Sequence, residues 1–336
     1  MNYSAMLPEG ARMDHRKVEE VKTIGVVGAG LMGHGIAQVF ALKGFKVRLF
    51  DTDSKVLESA PARIRNNLQT LLELHLIESS EVGYCLTHLE LCERLPEMCN
   101  GVEFVIEAVS ENLGLKRSVF SDLERLTPPE TICCSNTSAI SIREIAEALR
   151  FRERVVGTHF WNPPHLVPCV EVIQSPYTSS EAFQAVIELM KRVGKEPVRV
   201  LKDVPGFLGN RLQHALWREA ISLVEKGIAD PEDIDRVVKY GFGLRLPFLG
   251  PLETADLAGL DLVYDIHQYL FPELENRTTP SPLLKKLVDQ KKMGVKTKGG
   301  LYPWTDETIN RVIQQRDKAL LKISEVIRGL NREKKE

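Results

Sequence analysis

Residues 21–53 read VKTIGVVGAGLMGHGIAQVFALKGFKVRLFDTD, and they decide the fold. The apolar run 24–27 has the composition of a strand buried on both faces, and it empties into Gly28-Ala29-Gly30-Leu31-Met32-Gly33. Beyond the glycines, Ile36, Val39, Phe40 and Leu42 recur at helical spacing, so the stretch predicts strand, glycine turn and helix. Gly28 permits the tight turn, Gly30 lets a pyrophosphate approach the backbone, and Gly33 lets helix and strand pack closely. The unpaired N–H groups at the start of the helix, around Leu31, Met32 and Gly33, then face the phosphates. A second strand over 45–50 ends in Asp51. That is about the twenty-residue offset at which an acidic side chain accepts from the adenosine ribose 2′-hydroxyl. A carboxylate there repels a 2′-phosphate, which selects NAD over NADP.

Composition sets wide bounds. A chain of 336 residues with 43% apolar content has enough material for two domains and a sizeable core. The formal charge of -2 supplies no concentrated basic surface, so neither nucleic acid nor an acidic membrane is an expected partner. Six cysteines are scattered, with Cys133, Cys134 and Cys169 inside apolar runs, and they form neither a disulfide framework nor a metal-ligand spacing. No metal is expected, and the compartment is expected to be reducing. Residues 1–20 are polar, interrupted by Glu9, Asp14, Glu19 and Glu20, and read as an extension on a cytoplasmic protein. No run is long and apolar enough to suggest a transmembrane span.

After Asp51 a helical pattern covers 55–77, with Leu57, Ile64, Leu68, Leu71 and Leu72 along one stripe. Its length predicts a helical arm. Short apolar pieces around 86–91 precede a strand over 103–109, which runs into Ser110-Glu111-Asn112 and a helix through Leu126. A strand over 131–134 ends in the polar tetrad Ser135-Asn136-Thr137-Ser138, and an amphipathic helix follows over 142–149. In doubly wound sheets ligands sit outside the carboxyl ends of the strands, where this tetrad falls.

A second dense region, residues 155–173, reads VVGTHFWNPPHLVPCVEVI. Two apolar strands flank a turn carrying Pro163 and Pro164, and pairing about His165 places His159 opposite Glu171. A histidine facing a carboxylate has its tautomer fixed and its imidazolium stabilised, which suits a general base. A buried histidine satisfied by a structural carboxylate is the plainer reading of such a pair. The polar tetrad and the dinucleotide fingerprint in the same chain favour chemistry.

A helix over 180–193 and a strand over 198–201 close the first domain, and Lys202-Asp203-Val204-Pro205-Gly206 punctuates the exit. Helical patterns follow over 207–224 and 231–240, the latter with Asp230 as N-cap and Pro231 at the first position. A Gly/Pro-bearing link over 241–251 leads to further helices, and the charged run 325–336 reads as a solvated helix end. The expected organisation is a polar extension (1–20), an α/β Rossmann-like domain (21–203) and an all-α C-terminal domain (204–336).

In sum these segments resemble the 3-hydroxyacyl-CoA dehydrogenase family. The motifs that carry the resemblance are GVVGAGLMGHGIA with FDTD, IEAVSENLGLKRSVF, CSNTSAISI, GTHFWNPP, VEVI, KDVPGFLGNRL, LGPLETADLAGLD and MGVKTKGGLYPW, over about residues 21–304. The resemblance implies NAD-dependent oxidation of a 3-hydroxyacyl-CoA to the 3-oxoacyl-CoA, as in fatty-acid β-oxidation, by a homodimer joined through the helical domain. It implies that Ser138 hydrogen-bonds the substrate's C3 oxygen, that His159 removes its proton, that Glu171 orients His159, and that Asn210 helps position the substrate. It places Glu111, Lys116, Asn162 and Lys296 along the cofactor cleft, although surface or capping roles would explain those four as simply.

One stretch departs from the family pattern. Where the family meets the phosphorylated CoA handle with cations, residues 71–78 read LLELHLIE after Asn67, and Arg63 and Arg65 are the nearby positive charges. The HFWNPPHLVPCVEVI block, NRLQHALWREAISLVEKGIADPEDID and GPLET are also similar to λ-crystallin or L-gulonate 3-dehydrogenase relatives, and more loosely to carnitine dehydrogenases. These act on free 3-hydroxy acids with the same four site residues. A crystallin-like dinucleotide-binding protein without turnover is the alternative of another class.

Overall fold

The computed structural model describes residues 18–333. Residues 1–17 of the expected extension and 334–336 of the charged tail lie outside the described residues. The chain divides into two compact units between Asn210 and Arg211.

The strands of the first unit are β1 Thr23–Val27, β2 Lys46–Phe50, β3 Leu89–Cys92, β4 Phe104–Glu107, β5 Ile132–Ser135, β6 Val155–Phe160, β7 Cys169–Ile173 and β8 Glu196–Val200. They form one sheet in the order β3-β2-β1-β4-β5-β6-β7-β8. Neighbours are parallel from β3 to β6, β7 runs antiparallel to β6, and β8 is parallel to β7. β4, β5 and β6 are buried along their whole length, as parallel strands between helical layers must be. Chain order reverses between β1 and β4, which opens a crevice at their carboxyl ends.

The covering helices are α1 Gly33–Ala41, α2 Ser54–Glu73, α3 Ser79–Thr87, α4 Leu95–Cys99, α5 Leu113–Leu126, α6 Ile142–Ala146 and α7 Ser180–Arg192. α1 is buried at every position, because it lies directly on the sheet. The helix expected over 55–77 ends four residues early, and a further short helix follows it. α2 stops at Glu73, His75 takes the left-handed φ of 56°, and α3 starts after Glu78, which forms a capping box with Glu81. β8 begins earlier than expected and tolerates Pro197 because it is the sheet's edge strand. α6 is shorter than its amphipathic pattern.

Residues 204–210, expected to open the helical domain, group with the first unit. Phe207 is buried there with a φ of 49°, and the N–H groups of Leu208 and Gly209 donate to Glu171. The helix expected over 207–224 accordingly starts later, as α8 Gly209–Glu225.

The second unit continues with α9 Pro231–Tyr240, α10 Pro251–Ala258, α11 Leu260–Leu270, α12 Pro282–Asp289 and α13 Asp306–Glu333. Asp230 does occupy the N-cap of α9, but its side chain makes no capping bond. Its carbonyl accepts from the N–H groups of Asp233 and Ile234 instead. Glu225 and Glu275 take Arg277 between them, and Ser281 donates to Glu225, which ties the segment before α12 to α8. No described helix is long and apolar enough to cross a membrane.

Candidate active site

In the turn after β1, two of the three glycines answer a steric demand. Gly28 has a φ of +97°, and a Cβ there would lie 2.6 Å from the Ala108 carbonyl. A Cβ on Gly33 would collide with the carbonyl of Gly28. Gly30 differs, because nothing lies within 4 Å of where its Cβ would be. Packing does not demand glycine at that position, whereas a pyrophosphate resting on the backbone does, so the turn fits a dinucleotide. Leu31 stands 69% exposed at its rim, with Met32 beside it. Asp51 holds the turn from below. Its Oδ2 accepts from the Ala29 N–H at 2.7 Å and its Oδ1 from the Asp53 N–H at 2.9 Å. Each oxygen retains a lone pair with which to accept from a ribose hydroxyl.

An ion network, buried at Glu107 and Lys116 and open at Glu111, joins the ends of β4 and β5. Lys116, on α5, is fully buried, with Nζ 2.7 Å from Glu107 and 3.4 Å from Glu111. Glu107 ends β4 and also accepts from the Ser135 hydroxyl at 2.6 Å. Oε1 of Glu111 accepts from the Thr137 hydroxyl and from the N–H groups of Ser138 and Ala139, at 2.6, 2.9 and 3.0 Å. Burial opposes its ionisation, but Thr137, Lys116 and the two N–H groups outweigh that and hold its carboxyl below the ordinary range. Glu111 and Lys116 thus hold the loop that carries Ser138.

The register of β6 and β7 is the one the Pro-Pro turn implied. His159 pairs with Glu171, and His159 Nδ1 lies 2.7 Å from Glu171 Oε2. An ionised carboxylate only accepts, so Nδ1 carries the hydrogen and Nε2 is left as a base. Both side chains are buried. Oε1 of Glu171 accepts from the N–H groups of Leu208 and Gly209, both at 2.9 Å, at the start of α8. Burial would raise the Glu171 carboxyl, but the His159 bond and the N–H groups of Gly209 and Leu208 hold it below its ordinary value.

The next residue of α8, Asn210, donates from Nδ2 to the Ser138 carbonyl at 2.8 Å. From the tetrad, Asn136 Oδ1 accepts from the N–H of Phe160, the neighbour of His159, at 2.9 Å. Ser138, His159, Glu171 and Asn210 are thereby linked at the carboxyl ends of β5 and β6. The rings of Trp161 and Phe207 flank His159, with centroids 5.0 and 6.0 Å away. A Cβ on Gly209 would overlap the Trp161 indole, so glycine there lets the ring lie against α8.

Of the remaining site candidates, Asn162 is exposed immediately after Trp161, and Lys296 is exposed in the second unit. Arg63 and Asn67, candidates for holding a phosphorylated handle, are engaged elsewhere. Arg63 donates to the carbonyls of Ala29, Gly30 and Val56, and Asn67 Nδ2 donates to Gln38 Oε1 at 2.9 Å. Glu107 and Asn136 were not singled out from the sequence. An acid closing the apolar strand FVIE, and a position inside the polar tetrad, were the available signals. No group of histidine, cysteine or acidic side chains among the described residues could hold a metal.

The 3-hydroxyacyl-CoA dehydrogenase NAD-binding domain model matches residues 23–204, and the 3-hydroxyacyl-CoA dehydrogenase C-terminal domain model matches residues 206–304. The chain belongs to the 3-hydroxyacyl-CoA dehydrogenase family. NAD is its cofactor.

Relatives in the family differ in substrate. The chain is 32% identical to a 5-formyl-3-hydroxy-2-methylpyridine 4-carboxylate 5-dehydrogenase of Mesorhizobium japonicum, over 92% of this chain and 99% of that one. A crystal structure of a dehydrogenase of that description, an NAD+-dependent dismutase, matches with a TM-score of 0.86 over 92% of this chain and 99% of that one, at 32% identity. A probable 3-hydroxybutyryl-CoA dehydrogenase of Bacillus subtilis is 38% identical over 86% of this chain and 99% of its own length. The crystal structure of a (S)-3-hydroxybutyryl-CoA dehydrogenase from Ralstonia eutropha matches with a TM-score of 0.72, at 32% identity, over 85% of this chain and all of that one.

Proposed function

We propose that this family member oxidises the hydroxyl of a free 3-hydroxy acid to the ketone, with His159 as general base. The observation that carries the reading is the buried His159–Glu171 pair, which leaves Nε2 free to take the hydroxyl proton. NAD, when bound, supplies the hydride acceptor. As the proton arrives, Glu171 faces the resulting imidazolium and stabilises it. The Ser138 hydroxyl donates to the nascent ketone oxygen, and Asn210 holds the Ser138 backbone in place for that bond. Glu111 and Lys116 brace the same loop from its other side.

The choice of a free acid rests on the arm formed by α2 and α3. Residues 71–78 contain Glu73 and Glu78 and neither lysine nor arginine, while Arg63 and Asn67 are engaged as described, which leaves the exposed Arg65 as the remaining cation of the two named there. A phosphorylated CoA handle needs positive charge or unpaired N–H groups. The first relative described above, by name a dehydrogenase of a pyridine carboxylate, lends support. A second reading, oxidation of a 3-hydroxyacyl-CoA, is favoured by the closing motif over 293–304 and by the relatives named for 3-hydroxybutyryl-CoA.

NADH absorbance with 3-hydroxybutyryl-CoA, a longer 3-hydroxyacyl-CoA, L-gulonate and carnitine separates the readings. We expect a free acid to exceed both thioesters in kcat/KM by about tenfold or more. Faster thioesters would overturn the substrate class and leave the base assignment standing. No NADH from any 3-hydroxy substrate would point to a dinucleotide-binding protein without turnover.

A homodimer through the helical unit belongs to the same proposal. Among its described residues Ile234 and Leu321 alone are buried hydrophobics, whereas Leu212, Trp217, Val237, Tyr240 and Leu252 are exposed. So small a core does not offset the entropy of ordering the unit, and a second copy would cover those faces. Sedimentation should give one species of twice 37.8 kDa, and a well-folded monomer at micromolar concentration would contradict this.

A further inference from the structure

The glycine turn has a partner outside its motif. Arg63, on α2, sends its guanidinium to the carbonyl side of the turn. Nη2 donates to Ala29 at 2.6 Å and to Val56 at 2.9 Å, and Nη1 donates to Gly30 at 3.2 Å. His34, in the first turn of α1, adds a contact from Nδ1 to the Gly30 carbonyl at 2.7 Å, and lies 3.2 Å from Arg63 Nη1. Residue 29 is therefore gripped at both ends, its N–H by the Asp51 carboxylate and its C=O by the Arg63 guanidinium.

We propose that Arg63 is a positioning residue of the NAD site, fixing the carbonyl side of the turn so that the N–H side stays presented to the pyrophosphate. A backbone carbonyl that swung toward the cofactor would set its negative end against the phosphates. Two carbonyls of this turn are held away from that position by one planar donor fork, which a lysine's point-like ammonium cannot reproduce. The guanidinium also lies within electrostatic reach of Asp51, so it offsets a negative charge beside the anionic half of the dinucleotide. This role goes beyond the proposed reaction and does not depend on which alcohol is oxidised.

Direct titration of NADH fluorescence, which needs no turnover, tests it on Arg63→Met, Arg63→Gln and Arg63→Lys. We expect the Met and Gln variants to bind NADH about tenfold or more weakly, the loss typical of a charge-assisted hydrogen bond. Lysine should restore part of that, because it keeps the charge without the fork. At saturating NAD, kcat and the KM for the alcohol should remain within about threefold of wild type, since His159 and Ser138 are untouched. NADPH binding should weaken more than NADH binding in the Met variant, because the Asp51 charge is no longer offset. If Arg63→Met does not fold, the Lys and Gln variants decide. Unchanged NADH affinity in folded variants, or a fall in kcat with NADH affinity intact, overturns the proposal.

Discussion

Replacing His159 by glutamine is expected to lower turnover by about 10² to 10⁴, while NADH binds as in the wild type. The residues assigned to the glycine turn, Gly28, Gly30, Gly33 and Asp51, make no use of the imidazole, so cofactor affinity has no reason to move. Glutamine keeps a polar side chain beside Glu171 and Trp161, which limits the structural damage in a buried position. It lacks a group that can accept and hold a proton near neutral pH. NADH formation at saturating substrate and NADH fluorescence on the same preparation separate the two effects. Near-normal turnover would remove the base from the proposal.

The second large effect is at Glu171. This one carboxylate accepts from His159 on one oxygen and from Leu208 and Gly209 on the other. In Glu171→Gln the amide oxygen can keep the two backbone donors, but its NH2 then meets the Nδ1 hydrogen of His159. The imidazole relieves that clash by moving its hydrogen to Nε2, which no longer accepts a proton. A wrong tautomer in a catalytic histidine costs about 10⁴ in turnover. Glu171→Ala should in addition cost about 1 to 3 kcal/mol of stability for each buried donor it leaves unpaired.

The same residue ties stability to pH. Its folded carboxyl titrates below the ordinary 4.5, so it stabilises the fold fully above that pH. That contribution is lost as pH falls through the folded value. Wild-type unfolding free energy should drop below pH 4.5, and Glu171→Gln should flatten that drop. An equally steep acid limb in the variant would mean that the carboxylate is not held as described.

Two parts of the sequence made the site legible before any coordinates. Residues joined across an antiparallel turn keep a constant sum of positions, so a pivot at His165 was enough to place His159 against Glu171. The glycine spacing with Asp51 was similarly sufficient for the turn, because Gly28 and Gly33 answer local steric demands and Gly30 leaves the backbone open. The end of α2 was hidden, since apolar Leu74, Leu76 and Ile77 continue the run beyond Glu73, where His75 turns left-handed and Glu78 is extended. Long-range side-chain choices were hidden too. That Arg63 turns to the glycine loop and that Glu171 reaches α8 depend on elements more than thirty residues apart in sequence. Residue types fixed what each group could bond to, and the fold decided which partner it met.

A crystal structure of the chain with NAD and a non-reacting substrate analogue measures the central geometry directly. The account predicts His159 Nε2 at about 2.6 to 3.2 Å from the analogue's hydroxyl oxygen, with the carbinol carbon about 3 to 3.5 Å from the nicotinamide. An imidazole whose Nε2 faces away from the ligand, or a nicotinamide ring seated away from residue 159, would contradict it.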